Sequence, residues 1–264
     1  MVICKSVAVE RLKILSRLYA LANEGANLVA SSLGIVQGGP QQLELPRFVF
    51  TGPHGGGDSV RFGLFAGIHG DEPAGVLALI RLVEGLIAQP DLAAGYRLFL
   101  YPACNPTGLI AGTRLSAAGK DLNREFWKGS SEAEVRLLEA EIRAHKFHGL
   151  ISLHADDTSH GLYGFVRGAV LSKGLLEPAL NAAEAILPRN NAAVIDGFPA
   201  HNGIISECYA GILTSPPDLE PLPFEIILET PHSAPQEQQA EALVRALNAV
   251  LAEYQKLLAF AANL

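Results

Sequence analysis

Apolar runs of strand length alternate with longer stretches of helical periodicity along this chain, and this alternation constrains its fold more than any other feature. Short runs that are nearly continuous in Val, Leu, Ile and Phe are typical of strands buried on both faces. We predict strands at 43–51, 59–66, 96–102, 149–154, 191–195 and 224–229. We predict helices at 73–88, 131–146, 175–187 and 235–262. The pattern indicates an α/β fold: a single domain with a mixed, mostly parallel central sheet flanked by helices.

The first 42 residues precede all of these predicted elements. They begin with an amphipathic helix in which Leu12, Leu15, Leu18 and Leu21 recur at helical spacing. No internal repeat and no linker divides the chain, so we expect one domain over 1–264. Residues 1–42 are a candidate N-terminal helical extension of that domain.

Composition excludes several classes of protein. Hydrophobic residues make up 49% of the chain and charged residues 18%, which argues against disorder. The net charge is −7 with no run of Lys or Arg, so we expect no nucleic-acid partner. No apolar run reaches the length of a membrane span, and the first residues do not resemble a signal peptide. The three cysteines lack the spacing of a metal site, so we expect reduced thiols and a cytoplasmic protein. The sequence does not indicate an oligomeric state.

The first chemical motif is FAGIHGDEPAG at 65–75, where a buried strand runs into His69 and Glu72 before a helix begins at Pro73. Ligands bind outside the carboxyl ends of strands in open α/β sheets, so both side chains lie where chemistry is expected. An H-x-x-E pair on a tight turn can place an imidazole and a carboxylate on one metal ion. Taken alone, the motif is equally consistent with a helix-capping Glu72 and an exposed His69.

A second strand end favours the metal interpretation. The run GLISLHAD ends a strand at His154, again at the carboxyl edge of the predicted sheet. Two histidines and one glutamate form a catalytic zinc set that leaves a fourth position open for water. We therefore predict one Zn²⁺ per chain, held by His69, Glu72 and His154.

Two further segments supply groups for catalysis and substrate binding. The loop at 105–126 carries Arg114, Asn123 and Arg124, and arginine pairs bidentately with carboxylates and stabilises oxyanions. The strand FEIILE ends at Glu229, and a carboxylate beside an activated water is a natural general base. Considered singly, each of these residues could equally be a solvated charge.

The ordered set of H-x-x-E, N-P-T-G with a following Arg, D-L-N-R, a strand-end His and a strand-end Glu resembles the zinc carboxypeptidase superfamily. That superfamily includes the succinylglutamate desuccinylase and aspartoacylase branch, and the resemblance extends over roughly 67–229. It implies that Arg114 polarises the scissile carbonyl and that Glu229 activates water. It also implies that Asn123 and Arg124 hold a substrate carboxylate, and that Tyr209 closes over the substrate.

The resemblance also implies what is cleaved. The first expectation is a metallocarboxypeptidase acting at a peptide C-terminus, and the close alternative is an N-acyl amino acid deacylase. A non-catalytic ligand-binding module remains a third alternative, although such a module has no need of a general base. An arginine that the superfamily places between the first two ligands is Asp71 in this sequence, so that substrate contact is not carried over.

Overall fold

Ten strands and six α-helices make up the fold in the computed structural model, which describes residues 3–25, 27–38, 41–55, 58–168 and 171–261. The strands are β1 (Leu28–Gly38), β2 (Gln41–Thr51), β3 (Val60–Ala66), β4 (Tyr96–Tyr101), β5 (Gly149–Asp156), β6 (Tyr163–Gly168), β7 (Val194–Ile195), β8 (Phe198–His201), β9 (Ile204–Ile205) and β10 (Phe224–Pro231). The helices are α1 (Ile3–Glu24), α2 (Pro73–Ala88), α3 (Pro106–Ala111), α4 (Ala133–His145), α5 (Leu171–Glu184) and α6 (Gln236–Ala261). Short 3-10 helices span Pro90–Ala93 and Leu122–Arg124.

The strands form one mixed sheet in the order β1-β2-β4-β3-β5-β10-β6-β9-β8-β7. The four central strands β4, β3, β5 and β10 run parallel, as does the short β6–β9 pair. Antiparallel pairs at both margins outnumber these parallel pairs among the described strands. The mixed α/β sheet is therefore confirmed, but the expected parallel character holds mainly for its centre. The margins differ because hairpins and short strands without continuous apolar runs extend the sheet there.

Helices cover both faces of the sheet. Apolar side chains of α1, α2, α5 and α6 pack with β3, β4 and β10 in one large core, which includes Leu18, Phe62 and Phe224 at 0–1% exposure. The opposite face carries α4, whose Val135, Leu138 and Ile142 pack against the other side of the sheet. Burying each large apolar side chain contributes roughly 1.5–3 kcal/mol, so the two cores fix the central strands firmly.

The central elements agree with the sequence pattern. Helix α2 begins at Pro73 and ends at Ala88 as predicted, because proline favours the first helical turn. Residues 28–38, expected within a helical extension, instead form the edge strand β1. Strands β6, β8 and β9 were also not predicted, and the strand expected at 191–195 is confined to Val194–Ile195. None of the described helices is long and apolar enough to cross a membrane.

Candidate functional site

The H-x-x-E motif lies on the turn between β3 and α2. Gly67 adopts a φ of +63°, which turns the chain away from the sheet directly after β3. Gly70 packs so closely on α3 that an added Cβ would lie 1.9 Å from the carbonyl carbon of Gly108, so only glycine fits there. Glu72 is the residue before the first turn of α2, yet its side chain makes no capping hydrogen bond. The turn therefore directs this carboxylate elsewhere.

The Glu72 carboxylate lies between two histidines. Its Oε1 is 2.7 Å from Nδ1 of His69, and its Oε2 is 3.1 Å from Nδ1 of His154. The backbone N–H of Ala155 also donates to Oε2, at 3.1 Å. The three side chains are at most 5% exposed, and their candidate ligand atoms all lie within 4.8 Å of one another. The structure thus brings together the three residues that the sequence predicts as metal ligands.

The donor set fits a divalent cation. His69 is flanked by carboxylates on both sides, because its Nε2 lies 3.1 Å from Oδ1 of Asp121. Burial lowers the pKa of His69, but Asp121 and Glu72 outweigh burial and raise it overall. Burial likewise opposes ionisation of Glu72, but the two imidazoles bring its pKa down to about 2. Two imidazole nitrogens and an anionic carboxylate are ligands that zinc and other transition-metal ions accept.

Asp121 and Arg114 form a second layer around this cluster. Arg114 donates from Nε and a terminal nitrogen to Oδ2 of Asp121, at 3.1 and 2.9 Å. The other terminal nitrogen of Arg114 lies 3.3 Å from Nδ1 of His69 and 3.7 Å from Oε1 of Glu72. A hydrogen bond from His69 Nε2–H to Asp121 leaves the lone pair on Nδ1 available to a metal. The predicted oxyanion residue therefore lies beside the predicted ligands.

A cavity of about 360 Å³ opens above the cluster, and all eight residues predicted from the sequence line it. Glu229 on β10 is paired in register with His154 on the parallel neighbour β5, so both side chains leave the same edge of the sheet. Burial and then the charges of Glu72, Asp156 and Asp196 raise the pKa of Glu229 well above its usual range. A carboxyl in such surroundings is suited to accepting and returning a proton.

The other side of the cavity carries the predicted substrate-binding residues. Arg124 stacks its guanidinium over the ring of Tyr209, 4.3 Å from the ring centroid, and the Tyr209 hydroxyl lies 3.0 Å from Oδ1 of Asp196. Asn123 accepts from the backbone N–H of Leu213 at 2.8 Å, so its side chain also anchors the loop before β10. These residues surround space in which a carboxylate can pair with Arg124.

Other polar residues that line the cavity or support a ligand were not assigned from the sequence, among them Asp121, Asp156, Tyr163 and Asp196. Asp121 opens the D-L-N-R motif, and Asp156 follows His154 by two residues on the same strand, so both had a usable signal. Tyr163 lies opposite Glu229 in the antiparallel β10–β6 register, which depends on the unpredicted strand β6. Asp196 and Gly197 form the two-residue turn between β7 and β8, both with positive φ, so this Asp-Gly pair indicates a hairpin and not a site.

The sequence profile of the succinylglutamate desuccinylase/aspartoacylase catalytic domain matches residues 59–190, half of the chain. This range contains the three candidate ligands together with Arg114, Asn123 and Arg124. No curated protein matches the chain.

Solved structures share the fold at low sequence identity. A candidate metallopeptidase from Shewanella amazonensis is 22% identical, with a TM-score of 0.78 over 92% of this chain and 93% of that chain. A metallo-carboxypeptidase from Burkholderia cenocepacia is 18% identical, with a TM-score of 0.66 over 93% of this chain and 68% of that one. A metallo-carboxypeptidase from Pseudomonas aeruginosa, in complex with (2-guanidinoethylmercapto)succinic acid, is 19% identical, with a TM-score of 0.66 over 92% and 68%.

Proposed function

Because the chain belongs to the succinylglutamate desuccinylase/aspartoacylase catalytic-domain family, we propose that it is a zinc-dependent hydrolase of an amide bond next to a free carboxylate. The observation that carries this proposal is the convergence of Nδ1 of His69 and Nδ1 of His154 on the two oxygens of Glu72. That convergence lies in a cavity that the buried carboxyl of Glu229 and the guanidinium of Arg124 also line. A module that only binds a ligand has no need of a buried carboxyl that transfers protons.

In this proposal His69, Glu72 and His154 hold one zinc ion per chain. When bound there, the ion would supply Lewis acidity towards an amide carbonyl and towards a water nucleophile at neutral pH. Glu229 takes the proton of the attacking water and returns it to the leaving amine. Arg114 donates to the oxygen on which negative charge develops. Asp121 keeps His69 and Arg114 oriented through the hydrogen bonds described above.

Arg124 and Asn123 hold the substrate carboxylate, and Tyr209 closes over it. Fixing the carboxylate orients the amide towards Glu229, which converts binding energy into alignment of the reacting groups. The family match makes an N-acyl amino acid the first candidate substrate. A peptide C-terminus is the second candidate. The peptide candidate is favoured by a neighbouring cavity of about 390 Å³. Asp156, Thr158 and Asp196 line both cavities, so the second cavity gives room for a longer acyl part of the substrate.

Metal content and substrate choice test the proposal together. We expect about one zinc per purified chain, and we expect the double variant His69→Ala/His154→Ala to lose it. Stoichiometric zinc in that variant would contradict the ligand assignment. The wild type should cleave an N-acetyl amino acid or a dipeptide with a free carboxylate, and should cleave the amidated counterpart poorly.

The variant Arg124→Ala tests the carboxylate contact. Losing a charge-assisted contact whose partner stays buried costs roughly 2–5 kcal/mol, so kcat/KM on free-carboxylate substrates should fall by a factor of about 30 to several thousand. Hydrolysis of the amidated counterpart should change little. Arg245→Ala, an exposed change on α6, is the matched control. If the wild type cleaved the free-carboxylate and the amidated substrates equally well, Arg124 would have no role in binding a substrate carboxylate.

A further inference from the structure

Tyr209 is held at the cavity by its side chain and not by its backbone. Within the described chain, residues 207–210 form no backbone–backbone hydrogen bond. Such bonds begin again at Gly211, whose carbonyl oxygen accepts from the N–H of Phe126 at 3.0 Å. The position of the Tyr209 ring therefore depends on the contacts that its own side chain makes.

The hairpin of β7 and β8 supplies two of these contacts. The Tyr209 hydroxyl lies 3.0 Å from Oδ1 of Asp196 and 3.0 Å from the backbone carbonyl oxygen of the same residue, so either oxygen can accept its proton. Phe198, two residues further along the hairpin, meets the Tyr209 ring edge to face, with 4.8 Å between the ring centroids. One hairpin thus holds both the hydroxyl and the ring of Tyr209.

The hairpin itself is joined to the central sheet. Strand β8 pairs with β9, and β9 pairs with β6, the neighbour of β10. The Phe198 ring also packs on Phe165 of β6, with 6.0 Å between the ring centroids. Asp196 is exposed, yet the two-residue turn that it forms with Gly197 has a fixed place at the margin of the sheet.

Tyr209 in turn contacts the guanidinium of Arg124. The guanidinium carbon lies over the ring, 4.3 Å from its centroid, so the contact engages the face of the guanidinium. At its edge, Nη1 donates to the backbone carbonyl oxygen of Asn123 at 2.8 Å. Among the described residues, no carboxylate forms an ion pair with Arg124. The remaining N–H groups of its edge are therefore available to a carboxylate in the cavity that Arg124 lines.

We infer that Asp196 is a positioning residue for substrate binding: through the Tyr209 hydroxyl it holds the Tyr209 ring against Arg124, and it thereby fixes the guanidinium that pairs with the substrate carboxylate. This inference rests on the proposed function for the role of Arg124. It adds a residue that touches neither the substrate nor the reacting atoms. A guanidinium that is already held in place loses less side-chain freedom when the carboxylate binds, so binding is tighter.

Three substitutions separate the hydroxyl contact from the geometry of the turn. Asp196→Gly keeps the positive φ and removes Oδ1, whereas Asp196→Asn keeps both the positive φ and an oxygen acceptor. Tyr209→Phe removes the hydroxyl and keeps the ring. Asn202→Gly is the matched control, because Asn202 and Gly203 form the next two-residue turn of the same chain segment, also with positive φ.

Binding without turnover is the first measurement. In zinc-loaded protein that carries Glu229→Gln to slow hydrolysis, calorimetry compares N-acetyl-L-leucine with N-acetyl-L-leucinamide. Asp196→Gly should raise the Kd of the acid about three- to tenfold and leave that of the amide unchanged. Tyr209→Phe should weaken binding of the acid at least as much, and the double variant no further, because both changes act through one contact. Asp196→Asn and Asn202→Gly should stay within about twofold.

Hydrolysis by the chain with Glu229 intact is the second measurement. Because Asp196 acts on binding and not on the reacting atoms, Asp196→Gly should raise KM for N-acetyl-L-leucine and leave kcat near the wild-type value. A fall in kcat with KM unchanged would overturn the inference. An equal loss of binding in Asn202→Gly would also overturn it, since the effect would then come from a looser hairpin.

The two ligands separate this inference from the proposed function. If the acid binds better than the amide and Asp196→Gly leaves both Kd values unchanged, the inference fails and the contact of Arg124 stands. If the acid and the amide bind equally well before any change at Asp196, the proposed carboxylate contact fails and the inference fails with it. If Asp196→Gly removes the preference for the acid but no amide is cleaved, the proposed hydrolase fails and the positioning role stands.

Discussion

At the scale of single residues, the two nitrogens of His69 face different carboxylates. Nε2 lies against Asp121 and Nδ1 against Glu72, so the Nε2–H tautomer presents a lone pair at the candidate metal position. The sequence predicts His69, Glu72 and His154 as ligands because each lies at the end of a predicted strand or just after one. It did not identify the role of Asp121, because a D-L-N-R motif says nothing about which side chain its carboxylate meets.

The strongest test at this scale is Glu229→Gln. Glutamine keeps the shape of the side chain but cannot accept the proton of water, so kcat should fall at least about a hundredfold while zinc content and folding are preserved. Steady-state kinetics with metal analysis measure both. Glu207→Gln, an exposed change in the same cavity-side region of the chain, should leave kcat near the wild-type value. Near-normal turnover of Glu229→Gln would move the base role to another carboxylate that lines the cavity, with Asp156 next in line.

At the scale of elements, helix α4 is tied to the sheet by a carboxylate. Glu141 accepts from Arg47 on β2 at 2.9 Å and from the Tyr101 hydroxyl on β4 at 2.8 Å. His145, one turn further along α4, lies 3.2 Å from the same carboxylate. Burial alone would raise the pKa of Glu141, but these three partners bring it down to about 2. The network joins the antiparallel margin of the sheet to the helix that covers it.

Glu141→Gln should therefore destabilise the protein in a pH-dependent way. Because the folded-state pKa is below the unfolded value, the stabilisation is fully present above about pH 5 and is lost as the pH falls towards about 2. We expect a loss of about 1–3 kcal/mol in the free energy of unfolding at neutral pH, shrinking across that acid range. Urea unfolding in the presence of EDTA measures it, since metal loss then contributes nothing. Glu241→Gln, in an exposed helical pair, should cost under about 0.5 kcal/mol. If Glu141→Gln lowered the free energy of unfolding equally at all pH values, the ionised carboxylate of Glu141 would not be the source of the stabilisation.

The predicted and the unpredicted elements differ in how their residues are buried. Helix α2 and strands β3, β5 and β10 carry near-continuous apolar runs, because they are buried on both faces. Strand β1 lies at the edge of the sheet, and only its Leu28 and Val36 are buried, so its sequence lacks the apolar pattern of a strand. In β6, Gly164 lies where a Cβ would be 2.7 Å from the Ile227 carbonyl oxygen, so its glycine reflects close strand packing and not a turn.

At the scale of the whole molecule, residues from distant parts of the chain meet at one edge of the sheet. His69 follows β3, His154 lies near the end of β5 and Glu229 near the end of β10, and these three strands are parallel neighbours. Parallel topology could be predicted from the alternation of strands and helices, and it accounts for the convergence. The opposite wall, with Asp196 and Tyr209, comes from the short strands, turns and loops between α5 and β10, whose path no periodic pattern specifies.

Metal binding should stabilise the whole fold, because the unfolded chain cannot present the three ligands together. At free zinc near a hundredfold above Kd, the gain is about 2.7 kcal/mol, which corresponds to a rise in Tm of roughly 5–10 °C for a chain of this size. Thermal unfolding with zinc and with EDTA measures the difference. The double variant His69→Ala/His154→Ala should show no such difference, and an equal shift in both proteins would indicate zinc bound elsewhere.

The position of β10 has a consequence for the order in which this protein can mature during synthesis. Strand β10 lies between β5 and β6 in the sheet, although both are translated before it. Until residues 224–231 leave the ribosome, the buried edge of β5 has no partner on that side, which is a hydrophobic edge open to wrong pairing. All three candidate zinc ligands emerge earlier than Glu229. We therefore expect a nascent chain that acquires its candidate metal ligands before its proposed base, so that the proposed hydrolysis waits until β10 has joined the sheet.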